Sequence, residues 1–163
     1  MKGNKAGDLL ELSLEFELNA RELYKKWSEL FAGTPDVAAF WQEYSVDESY
    51  HASLLEDLRE RLSPQQLDTL IESDLVGDTK RLLAFLQKEP NIENLDQAYQ
   101  YANMIETSEI NPLFDVVMSA FEQDERTMTF LRTQLNEHVG KLANKFPKYF
   151  SRPEPRQAVK VQP

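Results

Sequence analysis

The chain contains only two histidines, and the first, His51, stands three residues after Glu48 in the run DESYHA. On a helix that spacing puts carboxylate and imidazole on one face, where both can ligate the same ion. Glu is common throughout this sequence, so the pair alone is weak evidence. Its meaning depends on whether it faces the core and whether other helices bring ligands to the same height. No cysteine is present, which removes disulfides, thiolate-bound zinc, iron–sulfur clusters and thiol catalysis. Any metal site must then be built from Glu, Asp and His.

Helical spacing addresses the first condition. Positions three or four apart give Val37, Phe40, Trp41, Tyr44, Glu48, His51, Leu55, Leu58 and Leu62, an apolar stripe interrupted by the two polar residues. An earlier stripe runs Leu10, Leu14, Glu17, Ala20, Tyr24, Trp27 and Phe31. A third holds Leu95, Tyr99, Ala102, Glu106, Glu109, Leu113, Val116 and Ala120, and the last holds Met128, Leu131, Leu135, His138, Leu142 and Phe146. Each stripe carries a candidate ligand near its middle: Glu17, then Glu48 and His51, then Glu106 and Glu109, then His138. Unpaired carboxylates in an apolar core are strongly disfavoured unless they take up protons or meet cations. A bound divalent metal resolves that conflict for all of them at once. The simpler account is a Glu48–His51 hydrogen-bonded pair without metal, with Arg21 a salt-bridge partner one turn beyond Glu17 and Tyr24 plain core.

The elements that must position these residues follow from start and stop signals. Asp8 caps a first helix reaching about Phe31, and Gly33 ends it. Thr34-Pro35-Asp36 restarts the chain, with Pro at the first helical position, and the second helix runs to about Leu62. Ser63-Pro64-Gln65-Gln66 opens a shorter helix that Gly77-Asp78 breaks before TKRLLAFLQK, so residues 63–91 form a long connection with helices of its own. A third long helix spans about Asn94 to Phe121, and a fourth about Arg126 to Phe146, where Pro147 stops it. Two short connections around one long crossover give an all-α, ferritin-like four-helix bundle over residues 1–146. A register using Glu122 and Glu125 in place of His138 leaves the third helix little chain in which to turn back. Residues 147–163 read as an irregular, Pro-rich, basic tail: from Lys145 onward five Lys or Arg stand against Glu154 alone. Such a tail suits an acidic surface on its own subunit or on a neighbour.

Bulk composition narrows the function. A chain of 163 residues with 41% hydrophobic content fits one domain with a core of its own. The net charge of -10 repels phosphate backbones and anionic lipid, so neither nucleic acid nor membrane is an expected partner. MKGNKAGD has no apolar signal core, and no stretch approaches the roughly 18 apolar residues of a membrane span, so a soluble cytoplasmic protein is expected.

FELNARELY around Glu17, DESYHA around Glu48 and IETSEI around Glu106 together resemble the rubrerythrin branch of the ferritin-like di-iron proteins. The resemblance covers about residues 8 to 146, and the matches at Glu17 and at Glu48/His51 are its most specific parts. Glu17 to His51 is 34 residues and Glu106 to His138 is 32, consistent with two similar helical hairpins in tandem. The resemblance implies Glu17 as a terminal ligand of one metal, Glu48 as a bridge and His51 as a ligand or switching ligand. It implies Glu106 as a terminal ligand of the second metal, Glu109 as the additional carboxylate typical of the group, and His138 completing the second metal. One position departs from it: a bridging Glu belongs three residues before His138, and Leu135 stands there. Gln134 is a weaker, uncharged donor, and Glu137 lies about 100° round the helix, facing solvent.

Carboxylate oxygens with imidazole suit iron, as two ions or as one if the site is degenerate; manganese or zinc also fit the donors. The resemblance therefore implies a peroxide- or O2-reducing oxidoreductase in a homodimer. With no cysteine to carry its own rubredoxin-type centre, it would depend on an external electron-transfer protein. The alternative is a non-enzymatic helical protein, with or without metal, that handles iron or binds a partner.

Overall fold

The computed structural model describes residues 4–71, 74–120 and 125–163, with side chains described for all of these except 109–120, 127, 128, 131, 132, 135 and 139. Pro35 supplies the fixed φ of a first helical residue and Asp36 a first-turn carboxylate, and α2 (Pro35–Arg61) starts there, with Arg59 and Arg61 at its negative end. It folds back on α1 (Ala6–Leu30) through a tight turn in which the Thr34 amide donates to Phe31 O at 2.9 Å. The stripe expected on α2, from Val37 to Leu62, is buried throughout, Glu48 and His51 included. No described helix is long and apolar enough to cross a membrane.

The crossover takes the chain from one end of this hairpin to the other. Ser63 and Gln66 cap each other reciprocally at the start of α3 (Pro64–Leu67). The chain then lies on the N-terminus of α1, with Ala6 N donating to Thr69 O at 3.0 Å and Lys5 paired with Asp68 at 2.7 Å. From there α4 (Leu75–Gln87) climbs along α1: Val76 packs with Leu9, the Gln87 amide reaches Glu15 at 3.0 Å, and Glu89 pairs with Lys26. The long helix α5 (Leu95–Ala120) therefore starts at the end where α2 started and runs parallel to it, before α6 (Glu125–Asn144) returns. The break expected at Gly77 does not occur. Gly77 lies in the first turn of α4 beside the exposed Asp74 side chain, which makes no capping hydrogen bond.

The tail also differs from the irregular segment expected of it. After a 3-10 turn (Lys148–Phe150) comes α7 (Pro153–Ala158), whose Pro153 occupies the first helical position, where no amide donor is needed. Val159 accepts from Leu95 N at 2.9 Å, Val161 N donates to Glu93 O at 3.0 Å, and Gln162 N donates to Leu30 O at 3.2 Å. Phe150 is buried, and Val159 and Val161 pack on the main core. Arg156, 7% exposed, places Nε 3.3 Å from Asp96 Oδ1 and its guanidinium 3.8 Å from the Tyr99 ring centre. Of the tail's basic residues Arg156 pairs with a carboxylate of its own subunit, the buried Asp96, and the tail ties the end of α1 to the start of α5.

Because Asp96 is 6% exposed, removing its cationic partner strands a buried carboxylate. Arg156→Ala should lower the unfolding free energy by about 3 kcal/mol in equilibrium denaturation. A loss below about 1 kcal/mol would reduce the contact to an ordinary surface bridge.

Candidate metal centre

Four helices deliver ionisable side chains to one level of the bundle. Glu17 on α1, Glu48 and His51 on α2, Glu106 on α5 and His138 on α6 are exposed by 2, 1, 7, 2 and 6%. His51 Nδ1 lies 3.0 Å from Glu48 Oε2 and 3.7 Å from Glu17 Oε2. His138 Nε2 lies 2.9 Å from both Glu48 Oε1 and Glu106 Oε2. The two imidazoles meet edge to face with ring centres 4.5 Å apart. Glu48, whose two oxygens face different histidines, is the hinge of the cluster. One ligating atom each from Glu48, His51 and His138 falls within 4.8 Å of the others.

The chemistry of the cluster fits a cation. Glu17 Oε2, Glu48 Oε1 and both nitrogens of His138 are buried without a hydrogen-bond partner among the described residues. His138 Nε2 therefore approaches two carboxylates closely but out of hydrogen-bond alignment, a poor arrangement for protons and a natural one for donors converging on an ion. Without metal, protons must hold the group together. Burial, then the neighbouring Glu48 charge, pushes the Glu17 carboxyl up to about 7. Burial alone would depress His51, but the Glu17 and Glu48 carboxylates outweigh it and lift the imidazole to about 10. His138 is likewise raised well above its ordinary value by Glu106 and Glu48 against the opposing effect of burial. Burial works against ionised Glu48 too, yet His138 wins and holds it below the usual carboxylate range.

A surrounding layer orients the ligands. The Tyr24 hydroxyl, its pKa raised by burial and by Glu106, donates to Glu106 Oε1. Tyr44 donates to the backbone oxygen of His138 at 3.0 Å and its ring lies 4.4 Å from that imidazole. Asp47 Oδ2 is 3.6 Å from His138 Nδ1, a charge contact rather than a hydrogen bond, and accepts from Lys141 Nζ at 2.7 Å. The Asp47 role was not read from sequence. The signal was its place beside Glu48: one helical step of about 100° turns it from the core toward α6. Outside the imidazoles, Asp47, Tyr50, Gln134, Glu137, Lys141 and Lys145 line a cleft of about 200 Å³ between α2 and α6.

Of the candidates named from sequence, Glu17, Glu48, His51, Glu106 and His138 come together; the side chain of Glu109 lies outside the described residues, as does that of Leu135. The Glu125 of the alternative register is exposed in the first turn of α6, and Glu122 falls outside the described residues. Arg21 does not pair with Glu17: its guanidinium meets Glu22 at 2.9 Å, pointing away from the core. Gln134 lines the outer cleft, and Glu137 is exposed.

Buried carboxylates and imidazoles meeting across four helices, two hairpins and a long crossover define a ferritin-like bundle with a candidate metal centre. The family model described as Rubrerythrin matches residues 8–146, and the chain belongs to that family. No curated protein and no solved structure shows a significant match to it.

The proton-held cluster has a pH signature. Glu17 is raised from 4.5 to about 7 and His51 from 6.5 to about 10, so both bind more protons folded than unfolded in those windows. Stability of the metal-free protein should fall as pH rises through about 7 and again through about 10. Glu48 and Asp47 are lowered, and what they contribute is lost on acidification. Melting of chelator-treated protein should therefore be highest near about pH 4 to 5 and decline above it, while the gain from added metal grows with pH as protons are displaced. A metal-free melting temperature that climbs from neutral to alkaline pH would contradict this account.

Proposed function

We propose that this chain is a rubrerythrin-type, non-haem iron oxidoreductase that reduces hydrogen peroxide or O2 with electrons from a separate protein. The observation that carries the reading is the convergence of Glu17, Glu48, His51, Glu106 and His138 in a water-excluded core with unpartnered donor atoms. Hard carboxylate oxygens with two imidazoles favour iron, with manganese or zinc as competitors. Bound ferrous iron supplies the electrons that peroxide reduction requires. In this reading Glu48 spans the two histidine sides, Glu17 and Glu106 close the site at opposite ends, and Tyr24 holds a proton at Glu106. Asp47, paired with Lys141, places a negative charge beside His138. The working unit is proposed as a homodimer; Val46 and Tyr50, exposed one turn apart on α2, are apolar surface that pairing would cover. The absence of cysteine is what calls for an external electron donor.

Leu135 favours a second, more limited reading: a site that holds one metal firmly and a second weakly, working in iron handling rather than turnover. Metal analysis with optical spectra separates the two. Glu48→Ala should abolish metal binding, since it removes both oxygens that face the histidines. Leu135→Glu should raise stoichiometry toward two ions per chain while destabilising the metal-free form by about 1 to 3 kcal/mol. Peroxide should oxidise ferrous-loaded protein stoichiometrically, with repeated turnover only after an electron-transfer protein is added. Turnover on a nicotinamide donor alone would defeat the argument from missing cysteines, and an iron-free protein that cannot be loaded would defeat the proposal itself.

A further inference from the structure

The ligand cluster is in contact with a continuous run of oxidisable rings. Tyr24 donates its phenolic proton to Glu106. Its ring meets Trp27 edge-on at 5.5 Å and stacks on Trp41 at 5.6 Å with 6° between planes. Trp27 and Trp41 touch at 5.0 Å, and Trp27 meets Tyr101 on α5 at 5.9 Å. Tyr101 is partly exposed and stacks at 5.2 Å on Phe85, which is 44% exposed. Packing explains why these rings are large; it does not explain why the run begins on a candidate ligand and ends at solvent. In a chain without cysteine, phenol and indole are among the side chains that lose an electron most readily.

We propose that Tyr24, Trp27 and Tyr101 form an electron path that carries oxidising equivalents from the centre to the surface when peroxide outlasts the reductant. The inference rests on the metal-centre reading above. Tyr24 gives one electron toward the centre as its phenolic proton passes to Glu106. Trp27 then reduces the Tyr24 radical, and the proton returns from Glu106 to the Tyr24 oxygen. Tyr101 in turn reduces oxidised Trp27 and releases its own proton to water. A small one-electron reductant at the surface, of the ascorbate or thiol class, restores Tyr101 with a solvent proton. Each passage moves one electron inward from that reductant and leaves the rings unchanged. Without the path, the same equivalents would be spent on the ligands and the buried aromatic core.

The test is a map of oxidation, not a rate. Iron-loaded protein is treated with excess hydrogen peroxide and no reductant, and oxidised residues are located by peptide mass spectrometry. Tyr149 is the internal control: it is 77% exposed, so oxidants diffusing in solution should mark it ahead of the half-hidden Tyr101. The path predicts the opposite order, with iron-dependent oxidation concentrated on Tyr101. Trp27→Phe keeps the packing and should cut Tyr101 oxidation several-fold while raising it at Tyr24 and Trp41. Tyr101→Phe, at a partly exposed position that does not threaten folding, should move the damage back to Trp27. Ascorbate should suppress all of it in the native chain. Oxidation that follows exposure, with Tyr149 foremost and no response to either variant, would overturn the path while leaving the metal centre standing. If peroxide fails to oxidise the bound iron at all, the metal-centre reading and the path fall together.

Discussion

The structure is organised around ionisable groups that have been taken out of water together. Three carboxylates and two imidazoles, none more than 7% exposed, occupy one level of a bundle whose described core is otherwise mostly apolar. Such groups tolerate burial only in one another's company, and each must arrive from a different direction to leave room for the rest. That requirement dictates the topology. Two hairpins with a full-length crossover let α1, α2, α5 and α6 each present one face at mid-height. The crossover, running from Lys5–Asp68 up to Lys26–Glu89, brings α5 in from the correct end. The outer layer follows from the same need: Tyr24 answers Glu106, and Asp47 with Lys141 answers His138.

The helices and the cluster were largely legible in the sequence because both rest on the 3.6-residue period. Glu48 and His51 break an apolar stripe, and a polar residue in that position must be buried with a partner. Glu17, Glu106 and His138 could be found by the same reasoning on three other stripes. What the period could not reveal was anything depending on a contact between helices. Asp47 sits off the stripe, and its use becomes visible only when α6 brings His138 and Lys141 beside it. Arg21 sits one turn from Glu17 and looks like its partner, but its long chain turns outward to Glu22 and water.

The tail and the crossover show a different reason for misreading. Proline and glycine are punctuation in sequence, yet their meaning depends on position within the element. Pro153 begins a short helix inside a Pro-rich tail that reads as irregular, and Gly77 lies within the first turn of α4 rather than breaking a helix. At the end of α1 the last residues of the chain arrive, Gln162 N donating to Leu30 O at 3.2 Å, a contact between segments about 130 residues apart that no local reading can supply.

Charge balance bears on how much metal the cluster can hold. With both imidazoles neutral, as ligands must be, the described carboxylates bring three negative charges from Glu17, Glu48 and Glu106. One divalent ion leaves a single negative charge, which one proton cancels. Two divalent ions leave a single positive charge that no further carboxylate of the cluster neutralises among the described residues. A carboxylate at position 135 would bring the sum to zero for two ions, and Leu135 withholds it. Glu109, one turn beyond Glu106, is the residue in the sequence that could restore the missing charge from the same helix. If the cluster is read as a metal centre, whether it would hold one ion or two turns on whether Glu109 supplies the carboxylate that the fourth bundle helix lacks.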